Sequence, residues 1–469
     1  MSDVKVKPGS IPRQHMPEQK PADRVKNFDE VLFGFDEETA VLEASRCLQC
    51  KNAPCKAGCP ARVLIPEFID LIRNRKFLDA AKKLKETNSL PAVCGRVCPQ
   101  ETQCETPCVL SKKFEPVSIG KLEMFAADFE RKMRALPEPV SVPKNGHSVG
   151  IVGGGPAGIA CAGDLIRMGY DVIVYEALHQ IGGVLVYGIP EFRLSNDTVD
   201  YEVENLKKLG VVFRTNTPVG LVISMEELLA KHDALFVGTG AGLPQFLSID
   251  GENLNGVYSA NEYLTRVNLM SAYLFPEADT PVIRHKRMAV LGGGNVAMDA
   301  CRTALRLGAE AVYCIYRRTE VEMPARVEEV HHAKEEGVIF KLLRAPIAIV
   351  DNGNGFVGGI KTQEMVLGEP DEKGRRKPVP VEGSYETFEV DGVVVAIGNN
   401  PNPLIARSTP EIQTNKWGNI IVDEKHMTAM PGVFAGGDIS RGAATVILAI
   451  GDGKDAATSM DAYIKQKKQ

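Results

Sequence analysis

Residues 147–177 read HSVGIVGGGPAGIACAGDLIRMGYDVIVYEA. An apolar run, SVGIV, ends in Gly153-x-Gly155-x-x-Gly158. A helical stretch, IACAGDLIRM, follows, and a second apolar run closes on Glu176. The pattern is strand, glycine turn, helix, strand. The first glycine permits a tight turn, the second lets backbone approach a pyrophosphate, and the third lets the helix pack on the strand. Pro156 and Ala157 complete the turn, whose helix N-terminus faces the phosphates. Glu176 lies 23 residues after Gly153, where a carboxylate accepts hydrogen bonds from a ribose hydroxyl pair. A bare GxGxxG would read equally as a glycine-rich turn; the strand, helix and spaced acid favour a dinucleotide site.

The plan returns about 140 residues later as KRMAVLGGGNVAMDACRTALRLGAEAVYCIYRR, residues 286–318. Aligning the first glycines places Arg167-Met168-Gly169 on Arg306-Leu307-Gly308, an internal duplication of a mononucleotide-binding unit. The second turn is Gly292-x-Gly294-x-x-Ala297, with Asn295 and Val296 inside it. The position of Glu176 falls here at Ile315 or Tyr316, so the acid is missing, and Arg317 and Arg318 follow. Guanidinium groups pair with a 2′-phosphate that a carboxylate would repel, which favours NADP(H). The alternative is two solvated arginines at a strand end. FAD is expected at the first turn, because Gly182-Gly183 follow Glu176 and Gly436-Gly437-Asp438 head a helix beginning near Ala443. Such an aspartate binds a ribityl chain; a plain N-cap is the competing role. Two dinucleotide sites imply hydride exchange between nicotinamide and flavin, and no catalytic nucleophile or general acid is needed. His331-His332 read as surface residues of the helix ARVEEVHHAKEE, without metal-ligand spacing.

Eight of the 11 cysteines lie between Cys47 and Cys108, while Cys161, Cys301 and Cys314 sit in apolar segments. The run is Cys47-x2-Cys50-x4-Cys55-x3-Cys59-Pro, then Cys94-x3-Cys98-Pro-x4-Cys104-x3-Cys108. Close thiolate groups with Cys-Pro endings suit cubane iron–sulfur ligation. Zinc usually takes two CxxC pairs, and only one x2 spacing occurs here. A flavin takes two electrons together and passes them on singly, so such clusters have a use beside it.

The 469 residues carry 55 Lys plus Arg against 60 Asp plus Glu, a net charge of −5, with 44% hydrophobic residues. These values fit a globular protein of several domains and exclude a fibrous or disordered chain. A pI near 6.0 gives no electrostatic basis for nucleic-acid binding. No run approaches the ~20 apolar residues of a membrane helix, and the N-terminus has no apolar signal core. No membrane or nucleic-acid partner is therefore expected, and the location is read as cytoplasmic. Residues 1–40 read as an extended arm. DEETAVLEASRCLQC from Asp36 reads as a capped helix running into the first cysteines, IPEFIDLIRNRKFLDAAKKLKETNSLP as a helix ended by Pro91, and VSIGKLEMFAADFERKMRAL as another. ALPEPVSVPKNGH, 135–147, reads as a linker. The expected class is α/β: an all-helical iron–sulfur domain (1–140), then two Rossmann-like domains. The FAD domain (146–280 and 401–469) is split by an inserted NADPH domain (281–400).

CLQCKNAPCKAGCP, LPAVCGRVCPQETQCETPC, IGKLEMF, VGGGPAGIACA, YGIPEFRL, LGGGNVAMD, YRRTEVEMPA and FAGGDISRGAATV together carry a resemblance over roughly residues 25–465. The chain resembles the small (beta) subunit family of NADPH-dependent glutamate synthase. It is also similar to the large subunit of electron-bifurcating NADH-dependent ferredoxin:NADP oxidoreductase and to the N-terminal half of dihydropyrimidine dehydrogenase. The resemblance implies two [4Fe–4S] clusters, one FAD and one NADPH site. It implies Cys47, Cys50, Cys55 and Cys108 as one ligand set, and Cys59, Cys98, Cys104 and Glu123 as the other, with Cys94 spare. By spacing alone, eight cysteines would divide four and four, and Glu123 would be a solvated helix-start acid. The family's FAD residues map to Glu176, Gly183, Arg193, Asp438 and Thr445, and its NADP residues to Gly294, Asn295, Val296, Arg317 and Arg318. The implied activity is electron transfer from NADPH to a separate subunit, the large subunit of glutamate synthase. The alternative partner is a second iron–sulfur flavoprotein, with ferredoxin as a further acceptor, and the short arm favours it slightly. A scaffold without turnover is disfavoured by two intact turns.

Overall fold

Asp36 sets the first helix of the cysteine domain: its carboxylate accepts from the Thr39 N–H at 2.7 Å and caps Glu37–Ala44. In the computed structural model, which describes residues 9–133, 142–370 and 374–467, the expected single helix after it is two. Ile65–Arg73 and Phe77–Lys85 form a hairpin, broken where Arg75 takes a left-handed backbone at φ 57°. Each buries one stripe: Ile65, Phe68, Ile69 and Ile72, then Phe77, Ala80, Ala81 and Leu84. Pro91 starts a helix, Pro91–Val97, instead of ending one, because proline at a first helical position gives up no hydrogen bond. Ile119–Lys132 closes the domain, with Phe125 and Phe129 against the Phe77 ring. Residues 135–141 of the expected linker lie outside the described residues.

Two parallel five-stranded sheets follow. The first runs Val433–Ala435, Ala234–Val237, Ser148–Val152, Asp171–Tyr175, Val212–Arg214 in spatial order. The second runs Val257–Ser259, Gly392–Val395, Arg287–Leu291, Ala311–Tyr316, Ile339–Leu342. The two orders match strand for strand about the glycine turns, so the duplication in sequence is one in space. The edge strand Val257–Ser259 pairs with Gly392–Val395, so the second unit begins upstream of the expected division at 281. A three-stranded antiparallel sheet, Arg344–Asp351, Val357–Pro370 and Arg376–Phe388, extends the second unit and was not foreseen. The chain passes between the units along a short antiparallel ribbon, Leu243–Pro244 beside Asn399–Asn400.

The arm does not run free. Pro21–Arg24 forms a helical turn, and Arg24 is fully buried against the second unit. Its guanidinium donates to Glu336 at 2.8 Å, Glu335 at 2.6 Å and Glu18 at 3.2 Å. Glu336 also accepts from Arg302 and Arg306, both on Asn295–Arg306. His332 is likewise not at the surface: it is 4% exposed and pairs with Glu18 at 2.9 Å, while His331 is exposed. Burial, with Arg302 beside it, holds the His332 imidazole below its ordinary pKa. Arg24→Ala should release the arm. Charged hydrogen bonds worth about 1.5–3 kcal/mol disappear, while Glu336 keeps two arginines. Limited proteolysis should cut between residues 9 and 33 faster, with little change in the thermal midpoint of the remainder.

Candidate functional site

Three sites emerge. In the cysteine domain Cys47, Cys50, Cys55 and Cys108 line one apolar cavity with Ile65, Ile69 and Ile119. Cys59, Cys98 and Cys104 lie around the buried Glu123 carboxyl, and Cys94 is hydrogen-bonded to Cys98. None of these cysteines is in a disulfide. Burial pushes the thiols up, to about 11 for Cys47 and Cys59 and about 12 for Cys55. Without a strong local base, such thiols become thiolates when a metal coordinates them. The donor chemistry therefore fits two metal–sulfur centres. Both Cys94 and Glu123 reach the second group. Burial lifts the Glu123 carboxyl to about 8, and Asn88 Nδ2 donates to one of its oxygens at 2.9 Å. Asn88 was not singled out from sequence. Its own Oδ1 accepts from the Leu90 N–H just ahead of Pro91–Val97, a capping pattern that could have marked it.

At the first turn, geometry demands glycine. Gly153 has φ 106°, and a Cβ on Gly158 would lie 2.0 Å from the Gly153 carbonyl oxygen. Pro156 opens the Pro156–Arg167 helix behind N-cap Gly155, with no side chain covering its N–H groups. Glu176 is 7% exposed and fixed at both oxygens, accepting from Gly154 N at 2.7 Å and Leu178 N at 2.8 Å. Across from Gly155 sits Gly183, φ 57°, whose Cβ would come within 2.9 Å of the Gly155 Cα; Gly182 precedes it at φ 135°. Gly437 packs on Ala157 and brings Asp438 over the turn. Asp438 accepts from Ala444 N at 3.2 Å, and burial raises its carboxyl to about 6. The Asp438–Arg441 turn precedes the long helix, which starts at Val446. Asp452, also missed in sequence, holds that turn by accepting from Gly437 N at 2.8 Å and pairing with Arg441. The Thr239 and Thr445 hydroxyls are buried without a partner, the condition of groups awaiting a polar ligand. With a cradle of glycines, an uncapped helix and an anchored acid, these residues fit a flavin dinucleotide.

Arg193 lies elsewhere than expected. It reaches into the second unit, donating to both Asp299 oxygens at 2.7 Å and pairing with Glu329 at 3.0 Å.

The second turn repeats the first with altered chemistry. A Cβ on Gly292 would lie 2.3 Å from the Ala396 carbonyl oxygen. Gly294 is the N-cap of Asn295–Arg306, again without a side-chain cap, and Ala297 is buried. Asn295 Oδ1 accepts from Arg326 N at 2.9 Å, and Val296 is exposed. Tyr316 stands near the place of the acid, its ring against Gly293 and its hydroxyl donating to the Glu322 carbonyl. The two arginines differ. Arg317 is exposed, whereas Arg318 is buried and its Nε donates to the Arg376 carbonyl of the inserted sheet at 2.8 Å.

Residues 24–135 match the family described as dihydropyrimidine dehydrogenase domain II, 4Fe–4S cluster, and residues 147–453 match pyridine nucleotide-disulphide oxidoreductase. The chain is 39% identical over 449 residues to the glutamate synthase [NADPH] small chain of Escherichia coli (strain K12), covering 94% of this chain and 95% of that one. It is 38% identical over 439 residues to the NADP(+)-dependent formate dehydrogenase subunit beta of Moorella thermoacetica, covering 88% and 60%. In fold it resembles FprA of Mycobacterium tuberculosis, solved in complex with NADPH, at a TM-score of 0.58 and 19% identity, over 70% of this chain and 86% of that one. The likeness to FprA concerns the fold alone. Among the described residues no helix is long and apolar enough to cross a membrane. The chain belongs to the glutamate synthase small-chain family: it is an NADPH-dependent oxidoreductase in which a 4Fe–4S domain is joined to an FAD- and NADP-binding unit.

Proposed function

We propose that this chain is the electron-delivering subunit of a glutamate synthase-type complex, taking electrons from NADPH and passing them to a large partner subunit. The observation that carries this is the coexistence of two open nucleotide turns of matched topology with two groups of free cysteines, one half-buried and one mostly buried. The similarity to a glutamate synthase small chain over nearly the whole chain supports the partner. The free cysteines also support a reducing, cytoplasmic setting. The subunit named for Moorella formate dehydrogenase supports a partner that varies among relatives.

When bound, FAD accepts a hydride and iron–sulfur clusters carry single electrons, and the residues here have the roles of holding them. The N-terminus of Pro156–Arg167 would hold the flavin pyrophosphate, Glu176 the adenosine ribose, and Asp438 and Thr445 the ribityl chain. Gly292, Gly294, Asn295, Val296 and Ala297 would form the NADPH turn, with Arg317 for the 2′-phosphate. Cys47, Cys50, Cys55 and Cys108 would hold one cluster. Cys59, Cys98, Cys104 and Glu123 would hold the other, with Asn88 orienting Glu123.

Reduction of an artificial dye by NADPH on the purified chain tests the activity; a chain that binds NADPH without reducing dye is a scaffold. An anaerobic preparation should hold one FAD and about eight irons, and zinc without acid-labile sulfide would exclude the clusters. Arg317→Ala should weaken NADPH by roughly 10–150-fold, the worth of one charged contact, and leave NADH nearly unchanged. Equal losses for both nucleotides would make the role of Arg317 structural, and no loss for either would make it a solvated residue only. In paramagnetic resonance, Glu123→Ala should yield a three-iron signal and Cys94→Ser should not; the reverse pattern would assign Cys94 as the ligand.

A further inference from the structure

The only described backbone paths between the two nucleotide-binding units run through the short ribbon Leu243–Pro244 and Asn399–Asn400. Gly240 (φ 70°) and Gly398 (φ 121°) flank it, with nothing within 4 Å of where a Cβ would stand. A two-stranded ribbon beside such glycines leaves rotation of one unit on the other weakly resisted. Orientation must then be held away from the ribbon, and one feature contributes a direct side-chain link between the two units. Phe192 and Arg193 leave the first unit and enter a socket in the second. The Phe192 ring is fully buried, with the Arg306 guanidinium 3.8 Å and the Arg302 guanidinium 4.7 Å from its centroid. Arg193 pairs with Asp299 and Glu329. The arm covers the plug, its Val31 N–H donating to the Phe192 carbonyl at 2.9 Å.

The socket residues stand directly behind the nucleotide turn. Asp299 is one helical turn below Asn295 on Asn295–Arg306, and Glu329 is three residues after Arg326, whose N–H holds Asn295. On the other side, Arg193 lies between Val184–Tyr187, which follows Gly182-Gly183, and Asn196–Leu209. The plug thus couples the element beside the flavin-side glycines to the element that carries the nicotinamide-nucleotide turn.

We propose that Arg193 is a positioning residue for hydride transfer, locking the two units in one orientation through Asp299 and Glu329. The inference rests on the NADPH-to-flavin reading above and departs from the flavin-binding role that family resemblance gives Arg193. Because the guanidinium is occupied by two carboxylates, its reach goes to the partner unit.

The test is anaerobic stopped-flow reduction of the bound flavin by NADPH in the full chain. Arg193→Met should lower the limiting rate by about 10–100-fold, the scale on which a misplacement of about 1 Å acts. The half-saturating NADPH concentration should stay within about threefold, and FAD and iron contents should match wild type. Asp299→Asn, on the opposite unit, should give the same split, and Arg193→Lys should recover part of the rate. Should Arg193→Met fail to fold because it strands Asp299, the double variant R193M/D299N removes both charges and carries the same expectation. Loss of FAD or a shifted flavin spectrum in Arg193→Met, with a wild-type rate in Asp299→Asn, would overturn the proposal in favour of a flavin ligand. Full limiting rates in both single variants would also overturn it. A wild-type flavin that NADPH does not reduce would instead overturn the functional reading, and this inference with it.

Discussion

The buried carboxylate of Glu336 holds three arginines from two parts of the chain: Arg24 from the arm, and Arg302 and Arg306 from the helix behind the second turn. Removing charges from water costs several kcal/mol each, a cost that Arg302 and Arg306 offset within the second unit and to which Arg24 adds the tie to the arm. The neighbouring helix Val327–Glu335 extends the constraint. Glu329 takes Arg193 from the first unit and Arg302 from its own, and Glu328 takes Lys121 from the cysteine domain. Arg306 and Arg302 hold Glu336 well below the ordinary carboxylate range, and Arg193 and Arg302 hold Glu329 there. These carboxylates contribute stability above their unfolded pKa that is lost as pH falls through the depressed folded values. Arm, cysteine domain and first unit therefore meet on one short helix of the second unit.

The two glycine turns show how one backbone solution serves two ligands. In each, a helix N-terminus is left uncapped and a glycine stands where a Cβ would strike a carbonyl oxygen. The difference lies at the end of the next strand. In the first unit Glu176 is fixed by two N–H donors; in the second, Tyr316 fills that neighbourhood and the following Arg317 faces solvent. The scaffold is shared, and the side chains after the strand are where the two units differ.

Strands, turns and the duplication were legible because they depend on local rules: glycine where φ is positive, apolar runs of strand length, an acid at fixed spacing. The helix hairpin at 65–85 escaped because Asn74 and Arg75 carry no proline or glycine, and the break comes from a left-handed Arg75. The inserted antiparallel sheet escaped because Val357–Pro370 and Arg376–Phe388 mix polar residues, glycines and prolines without a clean alternation. The second unit's early start escaped because Val257–Ser259 is three residues long and is a strand only by pairing with Gly392–Val395. Burial of Arg24 and His332 was invisible for a related reason. A charged or polar residue looks solvated until partners distant in sequence, here Glu336 and Glu18, are brought to it. Arg318 shows the same limit, since its partner carbonyl lies on the unforeseen sheet.

The second cysteine group and the second nucleotide turn are also neighbours through hydrogen bonds. Arg326 donates its backbone N–H to Asn295 and its guanidinium to the Arg96 carbonyl and to Gln100 Oε1. Gln100 in turn donates to the Cys94 and Gly95 carbonyls at 3.3 Å. Tight packing fixes that amide, because a Cβ on Gly120 would lie 2.2 Å from it and one on Gly95 would meet the Met124 backbone at 2.5 Å. A glycine is thus needed at both helix surfaces for Pro91–Val97 to approach Ile119–Lys132, the helix that bears Glu123. The close approach that brings Cys94 and Cys98 to Glu123 therefore also fixes the Gln100 amide against Arg326. Swinging the cysteine domain away from the second unit would take the Arg96 and Gln100 acceptors from the buried Arg326 guanidinium and leave it Glu328, a loss that ties the position of the cysteines to that of the nucleotide turn.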